Sequence, residues 1–216
     1  MNQGPFTAIL ADENAVREVV GQPMELAVKK SLPKLDRYCR EFVERSPFLT
    51  LATANDKGKA DVSPRGDQPG FVLILDDQTL FIPGRPGNKR ADSLTNITLN
   101  PNVGLLFLVP GFDETLRVNG RATVVNDPAL LERCAVKGKV PKLGVLVAVE
   151  EAYLHCAKAF RRAKLWDSES RQVRSEMPTL GKMILEQTAA ANKPPSGAEV
   201  KVVDEFVEDN YRNELY

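Results

Sequence analysis

The sequence contains few of the residues that build metal centres and disulfide frameworks. Its 216 residues include one histidine, His155, and three cysteines, Cys39, Cys134 and Cys156. The cysteines are odd in number and show no C-x-x-C spacing, so a disulfide framework and a zinc site are both poor explanations. A lone histidine also excludes a multi-histidine metal site. We expect reduced thiols, a cytoplasmic location and, for His155, a structural hydrogen bond rather than a catalytic role.

An excess of charge and a long apolar run are also lacking. Lysine plus arginine and aspartate plus glutamate each total 29, so the formal net charge is zero. This balance removes any global electrostatic argument for nucleic-acid binding. No apolar run approaches the roughly 20 residues that span a bilayer, and the N-terminus lacks the basic-then-apolar order of a signal peptide. We expect neither nucleic acid nor a membrane as a partner, and any anion site must be local.

Apolar residues make up 43% of the chain, which is enough to bury one substantial core. We predict a single domain over residues 1–216, with N-terminal helices in 1–46, a barrel core in 47–150 and a helical extension in 151–216. Many short strands with few helices favour a barrel or sandwich over a parallel α/β sheet. Strands are predicted at residues 48–54, 59–63, 70–75, 79–82, 103–109, 115–118, 121–125 and 143–149.

Predicted turn and cap residues mark the ends of these strands and helices. Asp12 is a predicted helix N-cap, and Asp76-Asp77 and Asn119-Gly120 are predicted tight connections, the latter a favoured hairpin turn. Short helices are expected over residues 90–99 and 127–134.

After Glu150 the pattern becomes helical and polar. Residues 191–197 form a predicted linker, and residues 199–211 a closing amphipathic helix. One side of that helix suits either docking on its own barrel or contact with a partner subunit; it carries Val202, Val203, Phe206, Val207 and Tyr211.

A hydroxyl residue and a basic residue stand near the end of one predicted strand. Ser63 and Arg65 lie in the segment Asp61-Val-Ser-Pro-Arg-Gly-Asp67, and a guanidinium is well shaped for bidentate phosphate binding. The alternative is an ordinary Pro-Gly turn with a solvated arginine. Taken alone, the segment leaves both interpretations open.

A second basic segment, residues 83–90, precedes a predicted helix. It carries Arg85, Lys89 and Arg90 and contains no acidic residue. Free backbone N–H groups at a helix start also favour anions, so a phosphate site is one interpretation. The spacing is neither that of a Walker loop nor G-x-G-x-x-G, and a basic surface turn is the alternative.

The third basic segment runs from His155 to Trp166. Its lysine and arginine residues at 158, 161 and 162 are spaced to share one helix face, and Trp166 offers a flat apolar surface for a ring. The alternative is a solvated basic helix with Trp166 in the core.

The order of these segments resembles the pyridoxamine 5'-phosphate oxidase-like family over residues 45–150. The continuation from His155 to Trp166 resembles a bacterial, FMN-binding branch of the same superfamily. The matching segments are Leu51-Ala-Thr-Ala-Asn-Asp-Lys-Gly-Lys-Ala60, Arg65, Gly87-Asn-Lys-Arg-Ala91, Asn100-Pro-Asn-Val-Gly-Leu-Leu-Phe107 and Val118-Asn-Gly-Arg-Ala122.

The resemblance implies an FMN-binding split β-barrel, mainly β with peripheral helices and of the antiparallel six-stranded Greek-key type. It further implies a homodimer with FMN in clefts between the subunits. By position, Arg65 and the pair Lys89 and Arg90 would hold the FMN phosphate, and Arg85 would lie nearer the turn surface. Further cofactor-binding positions carried over are Asn88 and, from the partner subunit, Thr115, Trp166 and Lys158 or Arg161. Ser63 is added as a cofactor-binding residue for its hydroxyl group beside Arg65.

The sequence departs from the vitamin B6 oxidases at its C-terminal end. These enzymes hold the substrate phosphate with an Arg-x-His type motif, whereas no histidine follows His155 and residues 204–216 are rich in acids. Efficient oxidation of pyridoxamine 5'-phosphate is therefore not expected. The predicted function is an FMN-dependent oxidoreductase of unknown substrate. The alternatives are a non-catalytic flavin-binding or electron-buffering protein, or a split barrel that uses the deazaflavin F420 or haem.

Overall fold

Three helices precede the sheet in the computed structural model, which describes residues 8–189 and 194–216. Helix α1 begins where predicted, because the Asp12 side chain accepts a hydrogen bond from the backbone N–H of Ala15. Asp36 caps α3 in the same way, by accepting from the N–H of Cys39. The bounds are α1 Glu13–Val20, α2 Glu25–Lys29 and α3 Arg37–Arg45.

The body of the protein is one antiparallel sheet of seven strands in the order β2-β1-β5-β6-β7-β4-β3. Among the described strands β2 and β3 stay unpaired with each other, so the sheet is not closed. The fold class is confirmed: a mainly β split barrel with peripheral helices, although with seven strands rather than six. The strands are β1 Phe48–Ala54, β2 Ala60–Gly66, β3 Leu73–Asp76, β4 Thr79–Pro83, β5 Asn102–Leu108, β6 Thr115–Val125 and β7 Gly144–His155.

The larger part of the core lies on one face of this sheet, and a smaller cluster of Phe81, Leu131 and Cys134 lies on the other face at β4. Burial alternates along β1 and β5, as expected for strands with one face in the core. Leu49 is paired with Phe107, and Phe107 with Leu116, and all three side chains have zero exposure. The opposite face of β1, β2, β5 and β6 is hereafter the outer face.

The remaining helices lie at the edges of the sheet. Helix α4 packs against β1, β2 and β6, and buries Ile97 there. Two 3-10 turns follow α6, at Ser168–Ser170 and Arg174–Glu176. Within the described part of the chain, no helix has the length and apolar character needed to cross a membrane. The helices are α4 Asp92–Leu99, α5 Pro128–Glu132, α6 Lys158–Ala163, α7 Leu180–Thr188 and α8 Gly197–Asn213.

The predicted hairpin turn at Asn119-Gly120 is wrong. Both residues lie inside β6, at a bulge where the register with β7 shifts. A Cβ at Gly120 would lie 2.0 Å from the carbonyl oxygen of Ala148, so a glycine is needed for the close approach of the two backbones. The dipeptide marks an irregular strand rather than a chain reversal.

The predicted change to helix after Glu150 is also wrong, because β7 continues to His155 and α6 begins only at Lys158. The predicted closing helix exists as α8, and it packs against α7, where the Gly181 N–H donates to Asp204. Docking of its apolar side on the barrel is not observed, since Phe206 is 70% exposed. Of the predicted linker, residues 191–193 lie outside the described residues.

Candidate functional site

A polar cluster occupies the rim of the sheet at its edge strand β2. Ser63 is paired with Leu51, and Arg65 with Leu49, so both side chains point to the core face. Among the described strands, β1 alone flanks β2, and the polar side chains of Ser63 and Arg65 are half-buried rather than enclosed.

Helix α4 is fixed to this cluster by its first turn. Ser93 Oγ donates to Asp61 Oδ2 at 2.7 Å and lies 2.9 Å from Ser63 Oγ. Ser93 is 3% exposed, so this contact is sheltered from water. Two further contacts join α4 to β1 and β2, from Asn96 Nδ2 to Thr53 Oγ1 at 3.1 Å and from Thr53 Oγ1 to Asp61 at 3.4 Å.

Arg65 is the cation at the centre of the rim. Its Nε donates to Ser63 Oγ at 3.3 Å, and within residues 8–189 and 194–216 no carboxylate forms an ion pair with it and no acceptor bonds its Nη atoms. Burial lowers the pKa of Arg65, and the nearby charge of Asp61 partly opposes that effect. The result is a partly desolvated guanidinium with free donors, which suits an anionic ligand.

The 84–91 loop joins β4 to α4 and carries the second basic segment. Lys89 and Ala91 adopt left-handed backbone conformations, with φ of 62° and 57°, which cost non-glycine residues roughly 1–2 kcal/mol each. The Arg90 N–H donates to Asn88 Oδ1 at 3.1 Å, and the Arg90 side chain pairs with Asp92 at 2.8 Å in an exposed position. Lys89 is exposed and makes no ion pair with any described residue.

Arg85 does not lie on the turn surface as expected. Its Nε lies 2.6 Å from Asp67 Oδ2, and the two side chains are 16% and 3% exposed. A second nitrogen, Nη1, donates to the carbonyl of Cys134 at 3.0 Å. Sequence reasoning missed this ion pair because Asp67 belongs to a different segment of the chain and nothing local connects the two.

The pKa of Asp67 is lowered even though the carboxylate is buried. Burial alone would raise it, but hydrogen bonds from Tyr216 and the Gln68 N–H, together with the charge of Arg85, outweigh that effect. Asp67 is therefore a buried anion whose two carboxylate oxygens both accept hydrogen bonds from this chain.

Thr115, Arg161 and Trp166 gather around the connection between β5 and β6, away from Arg65. Trp166 Nε1 donates to the carbonyl of Phe112 at 2.7 Å, and Arg161 lies 3.2 Å from Asp113. Thr115 begins β6 and is 4% exposed. Lys158 begins α6 and is exposed. Trp166 and Arg161 line a small cavity together with Asp113, Phe160, Lys164, Leu165 and Asp167.

The structure thus divides the predicted site residues into two groups. Arg65 belongs to a row of paired residues that includes Leu49, Phe107 and Leu116, and Leu116 lies three strand spacings or about 14 Å from Arg65. Thr115 adjoins Leu116 and so points to the opposite face. Within one chain, the group formed by Ser63, Arg65, Asn88, Lys89 and Arg90 does not meet the group formed by Thr115, Lys158, Arg161 and Trp166.

His155 lacks the expected hydrogen bond at one nitrogen. Its Nε2 is buried and has no partner among the described residues, while its ring lies 4.9 Å from that of Tyr153. Burial and the charges of Arg117 and Lys30 lower the pKa of His155, which favours the neutral form. In the described part of the chain, no cluster of three or more histidine, cysteine, aspartate or glutamate residues forms a metal site.

Several solved structures are similar to part of this chain. HupZ from Group A Streptococcus is 18% identical with a TM-score of 0.46, and the match covers 56% of this chain and 93% of HupZ. General stress protein 26 from Bacillus anthracis is 17% identical over 61% of this chain and 94% of that protein, with a TM-score of 0.40. An F420 reductase is 22% identical over 54% and 94%, with a TM-score of 0.39.

A search of curated protein sequences gives no match. A scan against protein-family models does give one, to pyridoxamine 5'-phosphate oxidase, over residues 35–156. That range includes every strand of the sheet, the polar rim and the 84–91 loop. Because it also spans more than half of the 216 residues, we conclude that the chain belongs to the pyridoxamine 5'-phosphate oxidase family.

Proposed function

We propose that this protein binds FMN and acts as a flavin-dependent oxidoreductase. The observation that carries the proposal is Arg65, a half-buried guanidinium at the sheet rim with no carboxylate partner among the described residues. A buried cation without a counter-ion is costly unless it has a ligand or water. A phosphate monoester supplies the negative charge and the oxygens that this group lacks.

The surroundings of Arg65 fit the FMN phosphate. Ser63 orients the guanidinium, and Ser93 and Asp61 join the same strand to the first turn of α4. The loop that leads into α4 adds Lys89, which is free of an ion pair in the described chain, and Arg90, whose partner Asp92 is exposed and easily exchanged. Asn88 completes the proposed phosphate-binding group.

Bound FMN supplies reversible two-electron chemistry at its ring. The residues of the rim anchor the phosphate and thereby fix the position of the ring. No nucleophilic side chain is needed for this role. We do not assign pyridoxamine 5'-phosphate as the substrate, because the C-terminal Arg-x-His type motif is missing and no histidine follows His155.

A homodimer is part of the proposal. Thr115 and Arg65 point to opposite faces of the sheet, so one FMN can contact both kinds of residue only if they come from different subunits. The outer face offers an apolar surface for this contact: Phe48 and Val62 are 36% and 64% exposed, and Leu106 and Leu108 are half-buried. The partner subunit's Thr115, Trp166 and Lys158 or Arg161 would then approach the flavin.

The first test is the absorbance spectrum of the purified protein, since flavin, deazaflavin and haem have different visible spectra. The second is a flavin-fluorescence titration of Arg65→Ala. A charge-assisted contact is worth about 1.5–3 kcal/mol, so we expect FMN affinity to fall roughly tenfold or more.

Arg37→Ala is the matched control, because Arg37 is an exposed arginine that forms its ion pair with Glu41 on the surface of α3. Its FMN affinity should equal that of the wild type. Equal affinities for Arg65→Ala and Arg37→Ala would refute the phosphate site. A reduction assay with NADH or NADPH then distinguishes an oxidoreductase from a flavin-storage protein.

A further inference from the structure

The last described residue of the chain lies on the barrel beside the 84–91 loop. The Tyr216 hydroxyl donates to Asp67 Oδ1 at 2.7 Å, and the Tyr216 ring lies 5.4 Å from the guanidinium carbon of Arg85. Lys139 Nζ donates to the backbone oxygen of Tyr216 at 2.7 Å. Three separate segments therefore hold one tyrosine in place.

Tyr216 completes the partners of a buried carboxylate. Asp67 Oδ2 accepts from Arg85 and Oδ1 from Tyr216, so each oxygen has its own side-chain donor. The aromatic ring beside the Arg85 guanidinium adds a cation–π contact. Removal of the tyrosine hydroxyl would leave Oδ1 with the Gln68 N–H alone.

The 84–91 loop is anchored at both ends. At each end, one side-chain contact is made with β2 or with the residue that follows it. At its start, Arg85 is bound to Asp67, and the Gly84 N–H donates to the carbonyl of Leu143 at 2.9 Å. At its end, Ser93 is bound to Asp61. Arg65 lies on β2 between these anchors.

The backbone of the loop needs such anchors. Lys89 and Ala91 both have positive φ, a conformation that persists in residues other than glycine only where the surroundings enforce it. Arg85 is the nearest anchor on the N-terminal side, so loss of its contacts would free the part of the loop that carries Lys89 and Arg90.

We propose that Asp67, Arg85 and Tyr216 are positioning residues that hold the 84–91 loop in its anion-binding conformation. This inference rests on the proposed function, and it assigns part of the FMN affinity to a tyrosine far away in the sequence. These three residues touch no phosphate; they act through the backbone that presents Lys89 and Arg90.

The test uses Tyr216→Phe in the full chain, which removes one hydroxyl and keeps the ring. The control is Tyr211→Phe, because Tyr211 is a 51% exposed tyrosine on α8. Amide hydrogen exchange is measured over residues 84–91 without ligand, and FMN binding by flavin-fluorescence titration. For Tyr216→Phe we expect several-fold faster exchange and an FMN affinity lower by roughly three- to tenfold, the effect of one hydrogen bond.

Unchanged exchange over residues 84–91, or faster exchange with an unchanged FMN affinity, would overturn the proposal. A wild-type chain that binds no FMN would refute the proposed function instead. In that case the exchange rates alone decide whether Tyr216 holds the loop. A thermal melt of both variants shows whether any difference reflects local opening or global loss of stability.

Discussion

Arg85 and Arg90 belong to one loop, yet their surroundings give them different roles. Arg85 lies in a buried ion pair with Asp67, whereas Arg90 is 73% exposed and pairs with an exposed Asp92. Removal of one partner from a buried pair leaves an uncompensated charge, while an exposed pair contributes little to stability. We therefore expect a mutation of Arg85 to lower the stability of the fold strongly, and a mutation of Arg90 to lower ligand affinity with little effect on stability.

Arg85→Ala should destabilise the fold by about 3 kcal/mol, because it leaves the buried Asp67 carboxylate without its ion-pair partner. The midpoint of thermal unfolding should fall by roughly 6–12 °C. Arg90→Ala should change the stability by less than about 1 kcal/mol and lower FMN affinity about tenfold. Thermal and urea unfolding, together with flavin titration, measure both quantities; equal thermal midpoints for the two variants would contradict this assignment.

The sequence shows which segments are basic, but it does not show which of the basic side chains are free to bind a ligand. Arg65, Lys89 and Arg90 are predicted site residues from their segments, and in the structure each has free donors or an exposed ion-pair partner. The role of Arg85 depends on Asp67, Cys134 and Tyr216. Contacts between distant segments leave no local pattern, so only the folded chain reveals them.

Local patterns predicted the regular elements well. The alternating apolar residues of β1 and β5 and the Asp12 cap occur where expected, and the tight connection after β3 lies one residue later than expected, at Asp77-Gln78. The turn predicted at Asn119-Gly120 was wrong because Asn-Gly is a strong hairpin signal. The dipeptide lies instead in a long strand that is paired on both sides, with β5 and with β7, and this pairing outweighs the local turn preference.

Gly120→Ala tests the role of this glycine in β6. A Cβ would lie 2.0 Å from the Ala148 carbonyl oxygen, so the two backbones must separate, at a cost of about 1–3 kcal/mol. Gly197→Ala is the control, because a Cβ there meets nothing within 4 Å. Urea unfolding should show a loss of stability for Gly120→Ala and none for Gly197→Ala. Equal stabilities would mean that the bulge accommodates a side chain.

At the scale of the whole molecule, Arg65 and Thr115, one from each group of predicted site residues, point to opposite faces of one open sheet. The chain has no excess of one charge that would make two copies of it repel each other, because its formal net charge is zero. The outer face exposes apolar side chains of Phe48 and Val62 on adjacent strands. A twofold contact through this face would bring the rim of one subunit towards the partner subunit's Thr115.

Val62→Asp is expected to disrupt this dimer. Val62 is 64% exposed on the edge strand β2, so the substitution should leave the fold of the single chain intact. Burial of an unpaired carboxylate in an interface is costly, and light scattering should show a shift from twice the chain mass to 23.8 kDa.

The matched control is Val173→Asp, because Val173 is 58% exposed and lies outside the strands, in the segment before the second 3-10 turn. It should remain dimeric and bind FMN like the wild type. Because the proposed cofactor site needs residues from both subunits, Val62→Asp should lose FMN affinity together with its dimeric mass. A Val62→Asp protein that stays dimeric would place the interface elsewhere. A monomer that binds FMN with unchanged affinity would mean that Arg65, Lys89 and Arg90 suffice, without any contribution from the partner subunit's Thr115 and Trp166.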